Sequence, residues 1–154
     1  MSKKPIHIEL SLLNYKDQLT SKTLDGTTYL LDPVRKKWII LTPEELVRQL
    51  TLLYLLEKAE PYKRLLSVEK VINVNGRIKR FDILLYDSEA KPKLLVECKN
   101  PKVPITNETF NQIAQYNIAL KVPTLMVTNG NETYCCSIDF NSREFSFLDE
   151  VRLF

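Results

Sequence analysis

The sequence is poor in the residues that build several common kinds of site. It has three glycines among 154 residues and no G-x-x-x-x-G-K-[ST] motif, so we expect neither a P-loop nor an ATP-driven motor. Its only histidine, His7, lies near one terminus, which argues against Ser-His and Cys-His nucleophilic mechanisms. Its three cysteines form no C-x-x-C pair, which argues against a disulfide framework and against a structural zinc site.

Long apolar runs are also missing. No stretch approaches the roughly 20 apolar residues of a membrane-spanning helix, and the polar start MSKKPIHIEL lacks the apolar segment of a signal peptide. We therefore expect a cytoplasmic protein that has no membrane partner. With 44% apolar and 27% charged residues, the composition fits one globular domain over residues 1–154.

The charge is distributed unevenly, although the net charge is only +3. Residues 1–80 contain 15 Lys and Arg against 9 Asp and Glu, a balance of +6, whereas residues 81–154 contain 7 against 10, a balance of −3. The basic residues of the first half include three clusters, at Arg35–Lys37, Lys63–Arg64 and Arg77–Arg80. Such clusters either bind phosphate groups, as with a nucleic-acid partner, or are solvated faces.

A hairpin followed by a helix is predicted for the first part of the chain. TTYLL and KKWIIL have strand composition, and DPVR between them has the residues of a turn. At LTPEELVRQL a helix begins, because Thr42 can cap it, Pro43 suits its first position and Glu45 completes a capping box. An apolar stripe extends this helix to about residue 59, where Glu60-Pro61 stops it.

Three strands, a helix and a further strand are predicted to follow. SVEKVINV and RIKRFDILLY flank Asn75-Gly76, a strong hairpin signal, and KLLVECK forms the third strand after a turn. ETFNQIAQYNIAL has the apolar spacing of a helix, and PTLMVT is a short apolar strand. The core, about residues 42–130, thus has the order α-β-β-β-α-β, with an N-terminal hairpin extension at residues 1–41 and more peripheral strands at residues 131–154. This order predicts an α/β (α+β) fold with a mixed central sheet flanked by helices.

The strand pattern directs three charged residues toward one place. Asp82 opens the apolar part of the second strand, and Glu97 and Lys99, two residues apart, end the third strand on one face. Two carboxylates buried near each other are costly unless a cation compensates, and a hard divalent metal ion with oxygen ligands would do so. The alternative is an ordinary surface ion pair, which contributes little.

Asp82, followed by Glu97-x-Lys99 at the end of an apolar strand in this element order, resembles the PD-(D/E)XK nuclease superfamily. Five blocks are similar, in order, to those of the nuclease domain at the N-terminus of type I restriction enzyme R subunits: LTPEELVRQ, RFDILLYD, KPKLLVECKNPKV, QIAQY and VTNG. The resemblance covers about residues 35–130 and implies a stand-alone version of that domain with a restriction-endonuclease-like fold. Phe81 stands where the superfamily name has Pro, at a position that varies and carries no ligand.

The resemblance implies a metal-dependent DNA endonuclease that hydrolyses phosphodiester bonds. On the superfamily pattern, Asp82, Glu97 and the backbone carbonyl of Cys98 bind Mg²⁺, for which Mn²⁺ can substitute, and Lys99 assists the attacking water. Double-strand cleavage would need two sites, which makes a homodimer compatible with this function. A non-catalytic nucleic-acid-binding or scaffold protein on the same fold is the alternative.

An acid on the first helix also reaches the metal site in the family. PEELVRQ places Glu45 there, with Glu44 as the alternative and with Arg48 and Gln49 as supporting residues on a neighbouring face. As the third residue of a capping box, Glu45 has a purely structural role open to it as well.

On the second helix, Gln112 and Tyr116 lie four residues apart and share a face. In related nucleases such a pair touches the DNA backbone beside the active site, whereas the alternative is a solvated amide and a half-buried aromatic ring. Two further polar positions are not expected at the site: Glu69 as an outward-facing strand residue, and Asn129-Gly130 as a turn.

Overall fold

The computed structural model of the protein describes residues 5–59 and 65–153. Within these residues, the α-helices are α1 (Pro43–Lys58) and α2 (Asn107–Leu120), and a 3-10 helix covers Leu12–Gln18. Neither α-helix has the length and apolar character needed to cross a membrane. The strands in chain order are β1 (Ser21–Leu24), β2 (Thr27–Leu31), β3 (Trp38–Ile40), β4 (Leu66–Val74), β5 (Arg77–Tyr86), β6 (Pro92–Cys98), β7 (Thr124–Thr128), β8 (Thr133–Asp139) and β9 (Glu144–Leu148).

Strands β4 to β9 form one mixed sheet in chain order, and β1 to β3 form a separate antiparallel sheet. In the larger sheet β6 and β7 are parallel, because α2 connects them as a crossover, and the other neighbours are antiparallel. The α-β-β-β-α-β order and the mixed sheet flanked by helices are therefore confirmed, and β8 and β9 extend that sheet at one edge.

The large sheet is covered by α1 on one face and by α2 on the other. Leu94 and Val96 of β6 pack in the core that contains Leu55 of α1, whereas Leu95 packs in the core that contains Phe110 of α2. Successive strand residues point to opposite faces, so this apolar strand is buried on both sides. The same alternation sends the residues at the end of β6 toward both helices.

Helix α1 begins as predicted, but its capping box is incomplete. Thr42 is the N-cap, Pro43 is the first helical residue, and the Glu45 backbone N–H donates to Thr42 Oγ1 at 3.1 Å. The Glu45 side chain does not complete the box, because buried donors further along α1 bind it instead. The helix ends at Lys58, and the predicted stop at Glu60-Pro61 lies outside the described residues.

The N-terminal extension has one strand more than the predicted hairpin. Strands β2 and β3 pair with Leu31 opposite Trp38, and the DPVR turn connects them as predicted. Strand β1 pairs with β2 through Asp25-Gly26, whose φ angles of +50° and +79° suit the two-residue hairpin turn that Asp-Gly favours. This dipeptide was a usable hairpin signal in the sequence, whereas the 3-10 helix had no comparable signal.

Candidate functional site

Asp82 lies where strands β5 and β6 separate. The two strands pair as far as Ile83 and Val96, and β6 then continues beside β7 through Cys98. At the fork, the Cys98 backbone N–H donates to Asp82 Oδ2 at 2.7 Å. The Asp82 carboxylate thus replaces a backbone acceptor on the neighbouring strand, which holds it close to Glu97.

Glu97 is buried at this fork with one oxygen atom unsatisfied. The residue is 6% exposed, and its Oε1 finds no hydrogen-bond partner among the described residues. Burial, and after it the Asp82 carboxylate, raises the pKa of Glu97 to about 8, although Lys79 and Lys99 oppose this shift. Without a further cation, the Glu97 carboxyl group is therefore largely protonated at neutral pH. A buried carboxyl group beside a second carboxylate is an arrangement that a cation would stabilise.

A cavity of about 360 Å³ lies between α2 and the ends of β5 and β6. Glu97 and Lys99 line it from the sheet, and Gln112 and Tyr116 line it from α2. Lys79 of β5 also lines the cavity, with its Nζ 4.9 Å from the centre of the Tyr116 ring. The structure thus places four of the predicted site residues around one cavity and adds Lys79, which the sequence showed only as a member of a basic cluster.

Arg48 connects Asp82 with the first helix. Its Nε and Nη2 donate to Asp82 Oδ1 at 3.1 and 2.6 Å, and its Nη1 donates to the Glu45 carboxylate. Burial disfavours the guanidinium charge, but Asp82 and Glu45 outweigh burial and raise the pKa of Arg48. Glu44 contacts Arg48 at 3.3 Å with a side chain that is 46% exposed. Of the two candidate acids on the first helix, Glu45 is thus the buried one, but Arg48 lies between it and Asp82.

Gln49 links Glu45 to Asp32, which the sequence indicated only as the first residue of the DPVR turn. Gln49 Nε2 donates to Glu45 Oε1 at 2.7 Å and to Asp32 Oδ2 at 3.1 Å. Asp32 is fully buried and also accepts from the backbone N–H and the Nε of Arg35, at 2.7 and 2.9 Å. Although burial alone would raise it, these hydrogen bonds lower the pKa of Asp32. The Asp-Pro that begins DPVR signalled the turn, but not the contact with α1.

Glu69 belongs to the same group of paired charged side chains as Asp32, because it forms an ion pair with Arg35. The prediction that Glu69 is an ordinary outward-facing strand residue is therefore wrong. Arg35 Nη1 donates to Glu69 Oε2 at 2.8 Å, and the Glu69 side chain is 29% exposed. The reason is local backbone geometry, because the φ of Glu69 is +50°, a value that departs from regular strand conformation.

Asn129 forms the predicted turn, since its Oδ1 accepts the backbone N–H of Glu132 at 2.7 Å.

The structure describes two of the three basic clusters, and in each of them one residue has a specific contact or position. Arg35 is held in ion pairs with Asp32 and Glu69 and is not a free phosphate ligand. The Lys63–Arg64 cluster lies outside the described residues. In the third cluster, Arg77 and Arg80 are exposed while Lys79 lines the cavity.

The polar cluster behind the cavity carries more negative than positive charge. Four carboxylates and two guanidinium groups make up this polar cluster: Asp32, Glu45, Glu69, Asp82, Arg35 and Arg48. Among the described residues, no three His, Cys, Asp or Glu side chains form a ready metal site. Arg48 separates Glu45 from Asp82, which leaves Asp82 and Glu97 as the carboxylates at the fork that suit a hard divalent ion. The Cys98 carbonyl stays a prediction as the third donor. The unsatisfied Glu97 Oε1 supports this fit.

Comparison with known proteins assigns the chain to a family. A structure described as a fragment of an HsdR subunit of a type I restriction enzyme, from Vibrio vulnificus YJ016, is 20% identical with a TM-score of 0.42. That match covers 61% of this chain and 20% of the other, so the chain spans about a fifth of that protein. The comparison with curated proteins found no match. The family model described as type I restriction enzyme R protein N terminus matches residues 43–151, and the chain therefore belongs to this family.

Proposed function

We propose that the protein is a metal-dependent DNA endonuclease that hydrolyses phosphodiester bonds. The observation that carries the proposal is the buried Glu97 carboxyl group, which has an unsatisfied oxygen beside Asp82 and shares a cavity with Lys99. Membership in a family of restriction enzyme R proteins supports DNA as the substrate. Residues 1–154 would form one nuclease-like domain with its core at about residues 42–130, and no ATP would be needed.

The proposed ligands of Mg²⁺, or of Mn²⁺ as a substitute, are Asp82, Glu97 and the Cys98 carbonyl. When bound, the ion would polarise a phosphodiester group and acidify a water molecule. Arg48 holds Asp82 Oδ1, and the Cys98 N–H holds Oδ2, so the orientation of this carboxylate is set by the fold. Glu45 contributes indirectly in this proposal, by fixing Arg48.

Lys99 is the proposed catalytic residue that supplies a positive charge from the protein itself. Its ammonium group would hold the attacking water and offset the charge that develops on the phosphate group. Lys79, in the same cavity, would bind a neighbouring phosphate. Gln112 and Tyr116 stand on the facing side of the cavity, where they can contact the DNA backbone.

A non-catalytic nucleic-acid-binding protein is the second candidate, and one specific observation favours it. Arg48 already neutralises Asp82 with two hydrogen bonds to the same oxygen atom. A carboxylate with such a partner does not need a metal ion for its stability. The two candidates therefore differ in whether DNA that is bound is also cut.

The test is incubation of the pure protein with supercoiled plasmid, single-stranded DNA and RNA. Each substrate is combined with Mg²⁺, Mn²⁺, Ca²⁺ or EDTA, and Glu97→Gln is treated in parallel. We expect DNA cleavage with Mg²⁺ and Mn²⁺ and none with Ca²⁺, whose coordination geometry is looser. Cleavage that persists in EDTA or in Glu97→Gln would rule out this site, and binding without cleavage would favour the second candidate. Sedimentation of the same sample shows whether a homodimer accompanies double-strand cleavage.

A further inference from the structure

The hairpin of β4 and β5 extends beyond the part of the sheet that β6 covers. The two strands pair from Leu66 opposite Leu85 to Val74 opposite Arg77, whereas β5 pairs with β6 only from Ile83 onward. Its tip is the predicted Asn75-Gly76 turn, with φ angles of +51° and +80°. Residues 70–81 therefore form a two-stranded ribbon, called here the β4–β5 arm.

One face of the β4–β5 arm is anchored to the body of the protein. Ile72 packs against the core beneath α2, and Lys79 Nζ lies 4.9 Å from the centre of the Tyr116 ring. Phe81, at the base of the arm, makes an edge contact with the same ring, with 6.5 Å between ring centres. An isolated two-stranded hairpin is marginally stable, so these contacts support the arm from one side.

The opposite face of the arm is exposed and partly apolar. Val71 is 51% and Ile78 is 78% exposed, and the cross-strand pairs Val71 with Arg80 and Asn73 with Ile78 place these four side chains together. Exposed apolar side chains at adjacent positions of a ribbon are not explained by packing within the described residues, and they suggest a partner.

The charge of the arm identifies the kind of partner. Residues 70–80 contain no acidic residue and four basic ones, Lys70, Arg77, Lys79 and Arg80. Arg77 and Arg80 are exposed, whereas Lys79 turns toward the cavity that contains Glu97. Because Arg80 belongs to the exposed apolar face, a polyanion is the partner that this face favours.

We propose that the β4–β5 arm enters a groove of double-stranded DNA. A two-stranded ribbon has the width that the major groove admits. Ile78 and Val71 contact the bases or sugars, while Arg80 on the same face and Arg77 at the tip of the arm bind phosphates at the edges of the groove. The choice of DNA rests on the proposed function, and the arm adds a preference for duplex.

The phosphate contacts are tested by the salt dependence of binding. Fluorescence anisotropy with a labelled duplex in EDTA, over about 50 to 200 mM salt, measures the affinity of the full chain without cleavage. Arg77→Ala/Arg80→Ala should reduce the slope of log affinity against log salt by about 2, because each phosphate contact contributes about 0.9. The matched control is Arg152→Ala, an exposed arginine that follows β9 at the other edge of the sheet. It should leave the slope unchanged.

The apolar contacts are tested by a change that leaves charge alone. Ile78→Ser should lower the affinity for duplex on the order of tenfold, with an unchanged salt slope, because it removes apolar burial and no phosphate contact. Ile118→Ser is the control, since Ile118 on α2 is 71% exposed and lies outside the arm. Both substitutions are at exposed positions, and thermal unfolding by circular dichroism verifies that the variants are folded.

The outcomes separate the arm from the nuclease proposal. Wild-type affinity and slope in the arm variants, or equal losses on single-stranded DNA, would overturn the proposed groove contact. Binding to duplex that depends on the arm, in a protein that never cleaves with Mg²⁺ or Mn²⁺, would support the arm and reject the endonuclease.

Discussion

The Glu97 carboxyl group shows how strongly burial changes a single side chain in this protein. The pKa of this group is raised from an ordinary value of 4.5 to about 8, first by burial and then by Asp82. A raised pKa means that the folded state favours the protonated form. The resulting stability is fully present below about pH 4.5 and is lost as the pH rises through about 8.

We therefore predict that Glu97→Gln removes a pH dependence of stability. The quantity to follow is the free energy of unfolding of the wild type minus that of Glu97→Gln, measured in EDTA. As the pH rises from about 5 to about 8, this difference should fall by at least about 2 kcal/mol, because the wild type loses stability. Urea unfolding across this range provides the measurement, and exposed Glu150→Gln is the control. If the free energies of unfolding of the wild type and Glu97→Gln changed in parallel with pH, the raised pKa assigned to the buried Glu97 carboxyl group would be wrong.

Lys99 distinguishes a catalytic site from a surface ion pair. We predict that Lys99→Ala lowers the cleavage rate by about a hundredfold or more, because it removes a cation that acts on the transition state. Metal and DNA binding should change little. If Lys99 were only a surface partner of Glu97, the substitution would cost less than about 1 kcal/mol of stability and leave cleavage unaffected. Lys102→Ala, at an exposed lysine nearby, is the control for general loss of charge.

At the scale of elements, the turn between β2 and β3 is coupled to α1 by buried hydrogen bonds. Asp32 receives donors from Arg35 within the turn and from Gln49 of α1, and Gln49 also holds Glu45. The N-terminal sheet therefore helps to orient Gln49 and Glu45 on α1. Glu45 in turn binds Arg48, which contacts Asp82 at the site.

Replacement of Asp32 should show this coupling as lost stability. We predict that Asp32→Asn lowers the free energy of unfolding by about 3 kcal/mol at neutral pH, because buried donors of Arg35 and Gln49 would lose a carboxylate acceptor. Asp25→Asn is a matched control at an exposed hairpin turn, where Asn tolerates the left-handed conformation. Chemical unfolding of both variants gives the comparison, and equal stabilities would show that the Asp32 contacts are energetically unimportant.

At the scale of the whole molecule, the carboxyl groups of Asp82 and Glu97 predict that divalent cations stabilise the fold, although the net charge of the chain is +3. Binding to the folded state alone contributes about 2.7 kcal/mol at a ligand concentration a hundred times Kd. We predict that saturating Mn²⁺ raises the Tm of the wild type above its value in EDTA, and that Glu97→Gln loses most of this rise. An equal rise in both proteins would place cation binding elsewhere. This readout does not depend on activity.

Much of the fold could be predicted because its signals are local. The Thr42-Pro43 helix start, the Asn75-Gly76 turn and the apolar run of β6 each depend on residues within a few positions of one another. Asp25-Gly26 was an equally local signal for β1. Asn117 shows the limit of periodicity, since it occupies a buried position of the apolar stripe of α2 and hydrogen-bonds the backbone of Val122 in both directions.

By itself, the sequence determined the element order, the meeting of Asp82 and Glu97 on adjacent strands, and the family resemblance. Only the tertiary structure decided that Arg48 binds Asp82 across 34 positions of sequence, and that Asp32 and Glu69 join the same cluster. It also decided the burial that raises the pKa of Glu97. Ion pairing and desolvation depend on distances and solvent access in the packed chain, and residue spacing along the sequence specifies neither.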